Sequence, residues 1–160
     1  MHRILTIALI GSLAQNMFGG MPIDGIRCEA AEGSAEHIHA NLQLYDRGRS
    51  VAVPASIGIP PDGDCLYWLH THAPDGMMHI ESPIVQGFTL GQFFDIWGVP
   101  LTRTRAASVS AARGSVLRIT VNGQPWRNDP RRIRLFDHEV VVIQAGPPFV
   151  RRRRVDWKRM

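Results

Sequence analysis

From His37 the chain alternates. Ile38, Ala40, Leu42 and Leu44 make one face, and His37, His39, Asn41, Gln43 and Tyr45 make the other. Period two over this stretch predicts a strand with one face on a core. Asp46 to Arg49 reads as a turn, Ser50 to Pro54 as a short returning strand, and Ile57 to Asp64 as a loop. Cys65 to His72 predicts another strand. Ala73-Pro74-Asp75-Gly76 has Pro and Gly where tight turns want them, and Met77 to Glu81 leads back. Thr89-Leu90-Gly91-Gln92 matches a capping box and predicts a helix from Leu90 to about Trp97. Phe93, Phe94 and Trp97 form its apolar side, and Gly98 and Pro100 end it.

The pattern is weaker beyond the helix. Residues 102–114 are polar and small and read as loop. Val116 to Val121 and Gln124 to Trp126 flank Asn122-Gly123, a strong hairpin turn. Ile133 to Phe136 and Val140 to Gln144 predict two further short strands about Asp137-His138. No internal repeat is present. The expected fold class is α+β: mainly antiparallel β hairpins with one short packing helix.

Length and charge then set the boundaries. The chain has 160 residues with a formal net charge of +4, the size of one ordinary globular domain. Residues 1–100 carry 4 basic and 10 acidic side chains; residues 101–160 carry 14 and 4. Met1-His2-Arg3 precedes an apolar run from Ile4 to Leu13, with small residues at Ser12 and Ala14. That pattern predicts a signal peptide over 1–14, with an N-terminal anchor as the alternative. Residues 15–36 read as linker, 37–148 as a single globular domain, and 149–160 as a basic, solvated C-terminal tail. The expected location is extracytoplasmic: periplasmic, secreted or membrane-anchored. Cys28 and Cys65 permit one disulfide with 36 residues between them, the alternative being two free thiols.

Histidine changes the picture most. Seven are present, and five fall in His37-Ile38-His39, His70-Thr71-His72 and His79. An H-x-H pair on a strand puts both rings on one face. If Ala73 to Gly76 is a four-residue hairpin loop, His70 opposes His79 and Trp68 opposes Glu81, so His70, His72 and His79 share a face. A one-residue slip would destroy this. Three neutral imidazoles suit Zn²⁺, Cu²⁺ or Fe²⁺. His37 and His39 add ligands if their strand pairs beside the hairpin. Glu81 is a candidate fourth ligand, second-sphere acceptor or general base. Met77 and Met78 read as packing residues.

The blocks Cys65-Leu66-Tyr67-Trp68-Leu69-His70-Thr71-His72, Met78-His79-Ile80-Glu81-Ser82-Pro83 and Phe88-Thr89-Leu90-Gly91-Gln92-Phe93-Phe94-Asp95-Ile96-Trp97-Gly98, with His37-Ile38-His39, resemble a family of uncharacterised, exported or membrane-anchored bacterial proteins. The resemblance spans roughly residues 37–145 and implies a domain and an exported habit, not a reaction. Ala73 departs from it, standing where Asp is expected. The leading expectation is an exported domain that binds, carries or senses a transition metal. A metal-dependent hydrolase with Glu81 as base is the first alternative, and a non-metal envelope interaction module the second. Whether the protein is an enzyme is left open. Arg151, Arg152, Arg153 and Arg154 suggest contact with an anionic membrane surface, and no nucleic-acid partner is expected.

Overall fold

A computed structural model describes residues 20–159; the expected signal peptide or anchor lies outside them. The strands, in chain order, are β1 (Cys28–Glu29), β2 (Glu36–Asp46), β3 (Arg49–Val51), β4 (Leu66–Tyr67), β5 (Leu69–His70), β6 (Met77–Ser82) and β7 (Phe88–Thr89). The helix α1 (Leu90–Trp97) follows. Then come β8 (Arg105–Ala106), β9 (Val109–Ser110), β10 (Arg118–Val121), β11 (Gln124–Pro125), β12 (Arg134–Leu135) and β13 (Glu139–Ala145). This is a mainly-β α+β fold in which almost every strand pair is antiparallel.

A seven-stranded sheet runs β11-β10-β13-β2-β6-β5, with β3 also on β2. Its two central strands, β13 and β2, are parallel, with Val141 beside Leu42 and Ile143 beside Leu44. The two strands expected about Asp137-His138 therefore part company: β12 pairs with β7, and β13 enters the main sheet. The stretch 102–114, expected as loop, carries the small hairpin β8–β9. The strand expected over Cys65 to His72 is broken at Trp68 into β4 and β5.

One sheet face bears the main core. Ala40, Leu42, Leu44, Met78, Ile80, Val141 and Ile143 are buried there, together with Phe88, Leu90, Phe93 and Phe94 around the helix. Each of these side chains larger than Ala40 contributes about 1.5–3 kcal/mol on burial. The helix begins as its sequence requires. The Thr89 hydroxyl accepts from the Gln92 amide, the Gln92 side chain accepts from the Thr89 amide, and Gly98 ends it at φ 73°. Arg131 fixes it from outside by donating from both terminal nitrogens to Asp95, which holds the Asp95 carboxyl below the usual range.

The stretch read as linker contributes Ile26 and Cys28 to the main core. Cys28 is bridged to Cys65, which pins this segment beside β4. The segment read as a solvated tail also packs. Val150, Val155 and Trp157 lie on Tyr45, Val140 and Val142, on the sheet's second face. Two buried amides hold its backbone. Gln43 accepts from the Arg153 amide and donates to the Arg153 carbonyl, and Gln144 does the same for Val150. The arginines themselves stay exposed.

Candidate metal centre

The histidines sit at the open end of the second sheet face, and strand register puts them there. β5 pairs with β6 so that His70 stands opposite His79. β6 pairs with β2 so that His79 stands opposite His39, and Glu81 opposite His37. His70, His79 and His39 thus form one row across three hydrogen-bonded strands, and opposed residues project to the same side. The expected pairing of Trp68 with Glu81 holds in the backbone, where the Glu81 amide donates to the Trp68 carbonyl. The Trp68 ring, at the break between β4 and β5, packs in the main core against Phe88.

The turn that sets this register depends on Gly76. Its φ is +81°, and a Cβ there would lie 2.1 Å from the Leu42 carbonyl oxygen. The Gly76 carbonyl accepts from the Leu42 amide, tying the turn to β2. The hairpin is thereby locked against a one-residue slip that would turn His70 and His72 away from His79.

The imidazoles meet at ligand distances. His70 Nε2 is 3.1 Å from His72 Nε2, and His39 Nε2 is 3.1 Å from His79 Nδ1. Two ring nitrogens this close need a proton or a cation between them. On His70 the Nδ1–H donates to the Tyr67 carbonyl at 2.9 Å, because a carbonyl only accepts. The neutral ring therefore presents a bare Nε2 lone pair to His72, the orientation a metal-binding histidine takes when its other nitrogen is held by an acceptor.

Glu81 completes the arrangement. Its side chain is 4% exposed; Oε1 lies 3.3 Å from both His37 Nε2 and His79 Nδ1, and Oε2 lies 3.8 Å from His70 Nε2. Glu32 approaches from the disulfide-tethered segment, 3.7 Å from His72 Nε2. Donor atoms of His70, His72 and His79 lie within 4.8 Å of one another, as do those of His37, His39 and Glu81, and those of Glu32, His70 and Glu81. The described residues therefore include His and Glu groups that could hold a metal ion. Burial favours the neutral form of the His39, His70 and His79 rings. It pulls His70 down to about 4, against the opposing Tyr67 hydrogen bond, and pulls His79 down to about 3 with help from its histidine neighbours. His39 is lowered for the same reason. Burial, reinforced by Glu32, raises Glu81 to about 7.

All five histidines singled out in the sequence fall in this cluster, while His138 stands apart with its ring against Trp157. Glu32 was missed, since it lies in an aperiodic stretch whose sole local signal is the nearby Cys28. Gly33 shows how it is delivered: its Cα sits so close to Ser82 that a Cβ would lie 2.1 Å from the Ser82 carbonyl carbon. Asp137 was missed too. Its Oδ1 accepts from the His39 amide and steadies that end of β2.

The chain matches no family model, no curated protein and no solved structure. The cluster's own chemistry must carry the functional reading. A cavity of about 370 Å³ opens beside it, lined by His72, His79, Asn41, Gln43, Met77 and Arg153 among others. The disulfide fits an oxidising, extracytoplasmic environment. Among the described residues no helix is long and apolar enough to cross a membrane.

Proposed function

We propose that this protein is an exported transition-metal-binding domain, with His70, His72 and His79 as its core ligands and His37 and His39 beside them. One observation carries the reading. His70 Nε2, stripped of its proton by the Tyr67 hydrogen bond, points at His72 Nε2 from 3.1 Å on a hairpin whose partner strand supplies His79. Imidazole donors select Zn²⁺, Cu²⁺ or Fe²⁺ over Mg²⁺ or Ca²⁺. The half-exposed rings of His37 and His72, 56% and 47% exposed, give an ion a way in. The test is metal analysis of untagged protein against His70→Ala/His72→Ala. The wild type should carry metal and the variant lose at least half of it; equal content in both would refute the reading and leave an envelope interaction module.

A second reading, a metal-dependent hydrolase, draws support from the cavity beside His72 and His79. Glu81 is not among the residues lining that cavity, which fits a ligand better than a base acting on a substrate there. Hydrolysis of activated esters by metal-loaded protein, lost in Glu81→Gln with its metal retained, would favour the enzyme. The exposed run Arg151 to Arg154 would additionally let the exported domain rest on an anionic membrane surface. Co-sedimentation with phosphatidylglycerol vesicles, abolished by replacing the four arginines with serine, tests this.

A further inference from the structure

We infer that the cluster is built for two metal ions bridged by Glu81. This rests on the metal-binding reading and deepens it. The first ground is the number of donors. Five imidazoles and two carboxylates converge, more than a tetrahedral ion of the zinc type takes.

The second ground is how the donors divide. His70, His72 and His79 form one close set and His37, His39 and Glu81 another with no member in common, while Glu32 with His70 and Glu81 links the two. The two sets touch. His39 Nε2 is 3.1 Å from His79 Nδ1, and Glu81 Oε1 is 3.3 Å from the same atom. Four donors placed 2.0–2.1 Å from a single tetrahedral ion sit about 3.3 Å apart. The contacts of 3.1 Å within the first set and 3.3 Å between His37 and Glu81 in the second both have that spacing.

The third ground is Glu81. It touches both sets: Oε1 lies near His37 of the second and His79 of the first, and Oε2 lies nearest His70 of the first. Oε2 is fully buried and has no hydrogen-bond partner. Leaving such an atom unsatisfied is costly, and a cation on the His70 side removes the cost. A carboxylate in contact with both donor sets, with Oε1 at the second and Oε2 on the His70 side, is placed to bridge paired ions about 3.5–4 Å apart. One ion then takes His70, His72 and His79, with Glu32 close enough to cap it. The other takes His37, His39 and Glu81 Oε1.

The experiment is native mass spectrometry of the untagged full chain equilibrated with Zn²⁺. The expected result is two equivalents per chain, falling to one in His37→Ala/His39→Ala and to one in His70→Ala/His72→Ala. A single equivalent in the wild type overturns the pair but leaves the metal-binding reading standing; none overturns both. Two equivalents retained in either double variant place the ions elsewhere and also overturn the pair. Glu81→Gln tests the bridge by electron paramagnetic resonance of the Cu²⁺-loaded protein. In the wild type two copper ions this close should show a strongly coupled spectrum, and in Glu81→Gln that of isolated Cu²⁺. An uncoupled wild-type spectrum at two equivalents refutes the bridge. Should Glu81→Gln fail to fold, the wild-type spectrum and the double-variant counts decide alone.

Discussion

Acidifying the metal-free protein should destabilise it, by an amount set by three buried groups. On unfolding below pH 6.5, His70 and His79 each recover an ordinary histidine affinity and take up a proton, because burial holds them at about 4 and about 3 in the fold. Glu81 does the opposite. It is protonated up to about 7 in the fold and ordinary at 4.5 when unfolded, so it releases a proton. Between pH 4.5 and 6.5 unfolding therefore takes up one net proton. Stability then falls by about 1.4 kcal/mol for each pH unit of acidification, or about 2.7 kcal/mol across the window. The stabilising contribution of the two neutral histidines is fully present above pH 6.5. Glu81 alone gives a slight opposite slope between there and 7. His39, lowered, and Glu139, raised, act in opposite senses. Urea unfolding followed by tryptophan fluorescence, in chelator, from pH 4.5 to 6.5 measures the slope. His79→Leu removes one of the two proton acceptors and should flatten the curve. A flat wild-type curve, or stability rising toward acid, would refute this account of the buried cluster.

Reducing Cys28–Cys65, which closes a span of 37 positions, should cost about 4 kcal/mol by the loop-entropy relation; the urea midpoint with and without reductant measures it. Replacing Gln43 with Leu removes the amide that holds both backbone groups of Arg153. It should cost about 2–3 kcal/mol and speed tryptic cleavage at Arg151 to Arg154, read by intact mass; unchanged cleavage would mean the Gln144 amide and the apolar contacts hold the segment without Gln43. Gly76→Ala forces an L side chain into φ +81° against the Leu42 carbonyl. It should destabilise by about 2 kcal/mol or more and lower metal content, since this turn sets the register of His70 against His79. A variant as stable and as metal-loaded as wild type would contradict that role.

The legible part of this protein is local. Alternation from His37 to Tyr45 placed β2 and its histidine face, and the capping box at Thr89 with Gly98 bounded α1 at Leu90–Trp97. A four-residue loop at Ala73 to Gly76 was enough to oppose His70 to His79. In each case neighbouring residues share a backbone geometry with a short period, so spacing along the chain reports direction in space. The donors at the heart of the candidate site were visible for the same reason.

The remainder was decided by segments that meet from far apart. The parallel pairing of β2 with β13 joins residues almost a hundred positions apart, and nothing in either strand names the other. The run Val140-Val141-Val142-Ile143 does carry a clue, because a strand apolar on both faces needs cover on both. Only the fold shows that residues 150–157 supply it. Glu32 reaches His72 because a disulfide and a glycine contact deliver its segment, and the row of His70, His79 and His39 exists only where three strands lie side by side. Sequence by itself marked the five histidines and Glu81 and the strand face that each shares. Tertiary structure decided which of them meet, because hydrogen-bond register between distant strands is a property of the assembled sheet.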